Sequence, residues 1–212
     1  MNRRDMLRYS TAWGLAGGLI ALFDQPVRAA PGVVDVNAVL NDPESPLGGN
    51  PKGDVTIVVY FDYNCPYCKK SMPDMNRFVA QDGKIRVVYK DWPILAPSSI
   101  TGAKLALAAK YQGKYMAVHD ALMAIPHGHV TDDEMHEAAA ASGVDMTQLA
   151  ADAEKQNDAI TALLKRNAEQ ADAMGLPGTP VYLIGPFKMA SALDYDGFAQ
   201  VVSDTRDQLR KR

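Results

Sequence analysis

The stretch VTIVVYFDYNCPYCKK, residues 55–70, changes character twice. Val55 to Phe61 is an unbroken apolar, β-branched and aromatic run. That is the pattern of a strand covered on both faces, and so of a central parallel strand flanked by helices. Asp62, Tyr63 and Asn64 break the run. Cys65 and Pro66 follow, and proline is favoured at the first position of a helix because its missing N–H would have no partner there. A helix is therefore predicted from Pro66 to about Ala80, kinked at Pro73. Cys65 stands immediately before it.

Cys65 and Cys68 are the only cysteines of the 212 residues. Three explanations for such a pair compete: a staple, half of a metal site, or a dithiol that cycles between reduced and disulfide forms. A bridge between them closes so short a loop that it constrains the unfolded chain least, which disfavours the staple. A closed zinc site needs four ligands, and only two thiols exist. His127 and His129 could supply the others, but Pro126 and Gly128 beside them mark a polar loop. His119 and His136 read as ordinary helix residues, and the ten methionines as filler for an adaptable core. The redox dithiol is the reading these weights favour.

The compartment supports it. MNRRDMLRYS is basic, an apolar run from Ala12 to Phe23 follows, and small residues end at Ala29. This order predicts an export signal over residues 1–29. The paired Arg3 and Arg4 favour the twin-arginine type over the general secretory route. The apolar run is shorter than the about 20 residues a membrane span needs. The mature chain is thus expected in the bacterial periplasm, where disulfides persist. A net charge of -3 and no basic cluster point to no nucleic-acid partner.

Outward from the cysteines, residues 30–54 are rich in Pro, Gly, Asn and Asp and predict an irregular leader, with at most one short strand or turn near Val33–Leu40. A second strand is predicted near Lys84–Lys90, with Lys90, Asp91 and Trp92 near or past its end in structural roles. From 97 to 174 the spacing is helical. Ser98 or Ser99 is expected to cap a helix ending at Gly113, and Thr131 with Glu134 forms a capping box. One or two helices should occupy Met146–Met174. Val181–Ile184 is a strand, Lys188–Ala190 pairs back on it, and Asp194 or Asp196 opens a last helix to about Arg210. The whole, 55–212, is an α/β sheet with an all-helical insertion over about 97–174.

At the start of its helix, Cys65 faces unpaired N–H groups and the positive end of the helix dipole, both of which favour thiolate. Cys65 is expected to be the exposed nucleophile and Cys68, a turn further on, the buried resolving thiol. Pro66 and Tyr67 between them tune access without adding charge. Lys69 and Lys70 are expected to extend into solvent.

FDYNCPYC, Pro73, VVYKDWPIL and GLPGTPVYLIG, in that order, make the chain similar over about residues 40–210 to the DsbA/Com1-like branch of the thioredoxin superfamily. The resemblance implies a thioredoxin-like fold with its helical insertion, a cis proline at Pro180 packed against the cysteines, and a Thr179 backbone that receives an extended substrate. It implies disulfide donation to reduced envelope proteins by the Cys65–Cys68 disulfide, with no other cofactor, no metal, a membrane partner that reoxidises the pair, and a monomer. A reductase or isomerase is the alternative within the class. A copper- or zinc-handling chaperone and a peptide-binding module are alternatives outside it. One departure stands out. The family often carries a buried acid six residues before the first cysteine, and here that position is Val59. Asp62 is nearer in sequence and is expected to be more exposed.

Overall fold

The computed structural model describes residues 34–126 and 128–211. The expected signal segment lies outside them. A five-stranded sheet forms the centre, in the order β1-β3-β2-β4-β5. Its strands are β1 (Leu47–Gly49), β2 (Val55–Phe61), β3 (Ile85–Asp91), β4 (Val181–Ile184) and β5 (Phe187–Met189). Only β2 and β3 run parallel; the other three pairings are antiparallel. Every side chain of β2 from Ile57 to Phe61 is 0% exposed, as a central strand sandwiched between helix layers requires. Each such burial contributes about 1.5–3 kcal/mol.

Helix α1 (Val36–Asn41) and β1 correct the expectation of an irregular leader. Asp35 caps α1, accepting from the Asn37 and Ala38 amides. The strand Leu47-Gly48-Gly49 has no alternation of its own; it exists because the edge of β3 offers it hydrogen bonds. Gly48 lies so close under the Tyr89 ring that a Cβ would come within 2.8 Å of it. Arg166 grips Asp42 through two nitrogens and ties this segment to the insertion. β3 also runs one residue further than expected, taking in Asp91 opposite Phe61.

Helix α2 (Pro66–Asp82) starts at Pro66 as expected, continues through Pro73, and stops two residues later than expected, where Gly83 adopts φ 69°. Between β3 and β4 the described residues form five α-helices, α3 (Pro97–Ala109), α4 (Tyr115–Met123), α5 (Asp132–Ala141), α6 (Met146–Lys155) and α7 (Asn157–Ala173), with a 3-10 turn at Lys110–Gln112 after α3. Alanines and leucines of α3 pack against Val118, Leu122, Met135, Leu149 and Leu163 of the others. The Thr131–Glu134 capping box is present. Ser98 and Ser99, however, do not cap α3. Pro97 opens that helix, and both hydroxyls turn to the active-site loop. Helix α8 (Tyr195–Arg210), capped by Asp194, closes the second face. Its Arg206 forks between Asp54 and Asp82.

Candidate redox site

The strand β2 delivers Cys65 to the N-cap of α2. The turn that does so is anchored by Asp62. Contrary to expectation this carboxylate is buried, at 1% exposed. Oδ1 accepts from the Asn64 amide and the Ser99 hydroxyl, both at 2.7 Å. Oδ2 accepts from the Ile94 and Leu95 amides at 2.7 and 2.9 Å. Asp62 thus binds the end of β2, the segment after β3 and the start of α3 into one knot. Asn64 adds a second tie: its side chain donates to Ser98 and Ser99 and accepts from the Val130 amide at 2.7 Å.

Both cysteines are free thiols here. Cys65 accepts from the Cys68 amide at 3.3 Å and donates to the Thr179 carbonyl at 3.2 Å. The Thr179–Pro180 peptide is cis. Cys65 is not the exposed residue the sequence suggested: it is 2% exposed, and Pro66 and Tyr67 carry the surface in its place, Tyr67 being 64% exposed. Tyr67 and residues 177–180 and 190–192 line a groove beside it.

The two thiols differ in acidity. A hydrogen bond from the Cys68 thiol is the largest influence on Cys65; burial opposes it, and Thr179 and the Cys68 and Tyr67 amides reinforce it, so that its pKa falls to about 6. Burial, then the neighbouring Cys65, pushes Cys68 well above the ordinary range. The helix amides therefore assist, while the partner thiol leads. Of the two lysines after the motif, only one extends into solvent as expected. Lys70 is exposed, but Lys69 is half-buried and donates to the Ile125 carbonyl at 2.9 Å. This pins Ile125 of the insertion beside the motif, and a Cβ on Gly128 would come within 3.1 Å of the Asn64 carbonyl. His129 is exposed there; His127 lies outside the described residues. His136 is exposed and bonds its own helix, at Asp132.

Sequence reasoning missed the polar cluster behind the site. His119, expected to be an ordinary helix residue, is 0% exposed, and its Nδ1 lies 3.0 Å from the Tyr63 hydroxyl. Burial holds its pKa near 3, so the ring is neutral. The Tyr115 hydroxyl donates to Asp91 Oδ2, and Asn167 Nδ2 donates to the Asp91 carbonyl. Burial raises the Asp91 pKa from 3.8 to about 7. The folded state thus prefers the protonated acid, and ionisation weighs against folding increasingly from pH 3.8 up to about 7 and fully above it. Asp91→Asn is expected to stabilise the protein by roughly 2–4 kcal/mol at pH 8 and to leave it unchanged at pH 4. Thermal unfolding at the two pH values checks this, and an equal effect at both would contradict it.

Among the described residues no three His, Cys, Asp or Glu side chains converge as metal ligands, and no helix is long and apolar enough to cross a membrane. A family model described as thioredoxin matches residues 41–204. A crystal structure of a thioredoxin-like oxidoreductase from Silicibacter pomeroyi is similar at 35% identity and TM-score 0.76, over 82% of this chain and 99% of that one. The thiol-disulfide exchange protein α-DsbA2 from Wolbachia pipientis is similar at 26% identity and TM-score 0.74, over 79% and 90%. A periplasmic thioredoxin-like protein from Salmonella enterica serovar Typhimurium is similar at 28% and 0.68, over 80% and 94%. Among curated proteins, a Na(+)/H(+) antiporter of Salinispora tropica is 26% identical over 161 residues, 74% of this chain. The chain spans about a quarter of the length of the curated antiporters it matches, 24% in that case.

Proposed function

The chain belongs to the thioredoxin family, on its DsbA-like side, and from that premise we propose that it is a periplasmic thiol:disulfide oxidoreductase that donates disulfides to folding envelope proteins. The observation that carries this reading is the asymmetry of the two sulfurs at the start of α2: Cys65 sits at the N-cap and accepts from the Cys68 amide, while Cys68 is fully buried, so that Cys65 is the more acidic of the two. A substrate thiolate attacks Cys65 of the disulfide form. The Cys65–Cys68 bond breaks, and a mixed disulfide forms. The substrate's second thiolate then attacks its own sulfur in that mixed disulfide and leaves with the new bond, and Cys65 departs as the stabilised thiolate. Thr179 and Pro180 present the backbone along which an extended substrate lies, and Tyr67 borders the groove. The chain works as a monomer after loss of residues 1–29, needs no cofactor or metal besides its own disulfide, and is reoxidised by a membrane partner.

A stabilised Cys65 thiolate makes the disulfide oxidising. A pKa of about 6 lies between those of a reducing and a strongly oxidising member of the superfamily, about 7 and 3.5, so reduction or isomerisation is the second reading. Oxidised protein is expected to convert a reduced, unfolded, multi-cysteine protein stoichiometrically, with a reduction potential on the oxidising side of about -200 mV. A potential near -270 mV would favour the reductase. Metal retained through dialysis with no disulfide transferred would favour the metal chaperone instead.

A further inference from the structure

The position where the family often places a buried acid is held by Val59, 0% exposed on β2. Directly across the ladder from Val59 stands Tyr182 of β4, also 0% exposed. Its ring packs edge-on against Phe198 at 5.0 Å, which fixes its direction. Its hydroxyl shares a hydrogen bond with the hydroxyl of Ser71, 1% exposed. Ser71 lies three residues after Cys68 on α2, so the two stand one above the other on the same helix face. Strand and helix therefore close a pair of buried hydroxyls behind the resolving cysteine.

Taking thiol exchange at Cys65 and Cys68 as the reaction, we propose that the Ser71–Tyr182 hydroxyl pair does the work of the missing acid, as positioning residues that hold charge on the Cys68 sulfur while it leaves or attacks. When a substrate sulfur bonds to Cys65, the Cys65–Cys68 bond breaks and its electron pair stays on Cys68. That sulfur is fully buried, and burial opposes the charge. A hydroxyl hydrogen turned towards it carries the charge until a proton from water neutralises the thiolate. The substrate pair is oxidised as the cysteine pair is reduced, and no further oxidant enters. In the reverse direction Cys68 gives its proton to water and attacks Cys65 with the same support. Burial and the Ser71 hydrogen bond act most strongly on the Tyr182 hydroxyl, and it also feels charge on both sulfurs. Hydroxyls cannot be ionised in that setting, since burial also raises the tyrosine pKa. They act by donating a hydrogen bond, where an acid would exchange a proton.

The test uses the reduced protein and a nitrobenzoate aromatic disulfide whose thiolate is coloured. Attack by Cys65 releases a first aromatic thiolate, and attack by Cys68 on the resulting mixed disulfide releases a second. Ser71→Ala and Tyr182→Phe are each expected to slow the second release about tenfold and leave the first unchanged, because a hydrogen bond to a charged group is lost. Ser71→Thr keeps a hydroxyl and is expected to retain the wild-type second release. Wild-type kinetics of both releases in both variants would overturn the proposal. So would equal slowing of both releases, the signature of a purely structural role. A wild-type protein that gives one release and stops would remove the exchange reaction itself, an outcome distinct from variants that complete both releases as fast as wild type.

Discussion

Replacing Cys65 with alanine is expected to reduce disulfide transfer to the uncatalysed level, because the remaining Cys68 has no second cysteine with which to form the disulfide that is donated. The companion observable is the pH at which Cys65 ionises. With a pKa of about 6 in place of 9.0, it is roughly nine-tenths thiolate at pH 7, against about one-hundredth for the unperturbed thiol. Nucleophilicity falls with pKa, and over three units this removes a factor of roughly 20. The two effects nearly cancel in attack rate, leaving a gain of only about fourfold at pH 7. The midpoint of the alkylation profile is therefore the sharp measurement, and it should fall near pH 6. A midpoint near that of a free thiol would sink the proposed function. The same profile separates two causes. The Cys68 thiol is the largest stabiliser of the Cys65 thiolate, so Cys68→Ala should move the midpoint upward. Were the helix amides dominant, Cys68→Ala would leave it in place.

Asp62→Ala is expected to be the most damaging change outside the dithiol. It removes the acceptor of three amides and one hydroxyl, at 1% exposure. An unsatisfied buried donor costs about 1–3 kcal/mol. Even with water reaching half of them, the loss should be about 4 kcal/mol, a large part of the 5–15 kcal/mol that holds an ordinary domain folded. Asp62→Asn should be little better, since its amide nitrogen would face the Ile94 and Leu95 N–H groups. Denaturant unfolding measures the loss directly. A variant within about 0.5 kcal/mol of wild type would show the knot to be dispensable. Because Asp62 also aims the turn into Cys65, the folded remainder should carry a less acidic Cys65.

The dithiol, the strand that leads to it and the helix that starts at Pro66 were legible in the sequence because each depends on neighbours in the chain. An apolar run, a proline at a helix start and a four-residue cysteine motif are local signals. The Asp194 and Thr131 caps were legible for the same reason. The leader was not: β1 is a Leu-Gly-Gly segment that becomes a strand only on meeting the edge of β3. Ser98 and Ser99 looked like caps because serine is a good one, but Pro97 already opens α3 and distant Asp62 and Asn64 compete for their hydroxyls.

Sequence alone thus determined the family, the order of elements from β2 onward and the reactive pair, since these rest on period, composition and short spacing. Tertiary structure alone decided the burial of Cys65 and Asp62, the neutral His119 among tyrosines, the raised Asp91 and the meeting of Ser71 with Tyr182. Those pairs stand 111 residues apart in the last case and 56 between Tyr63 and His119. A hydrogen bond or a loss of solvent across such a distance depends on how the sheet and its insertion close, and no local pattern encodes it.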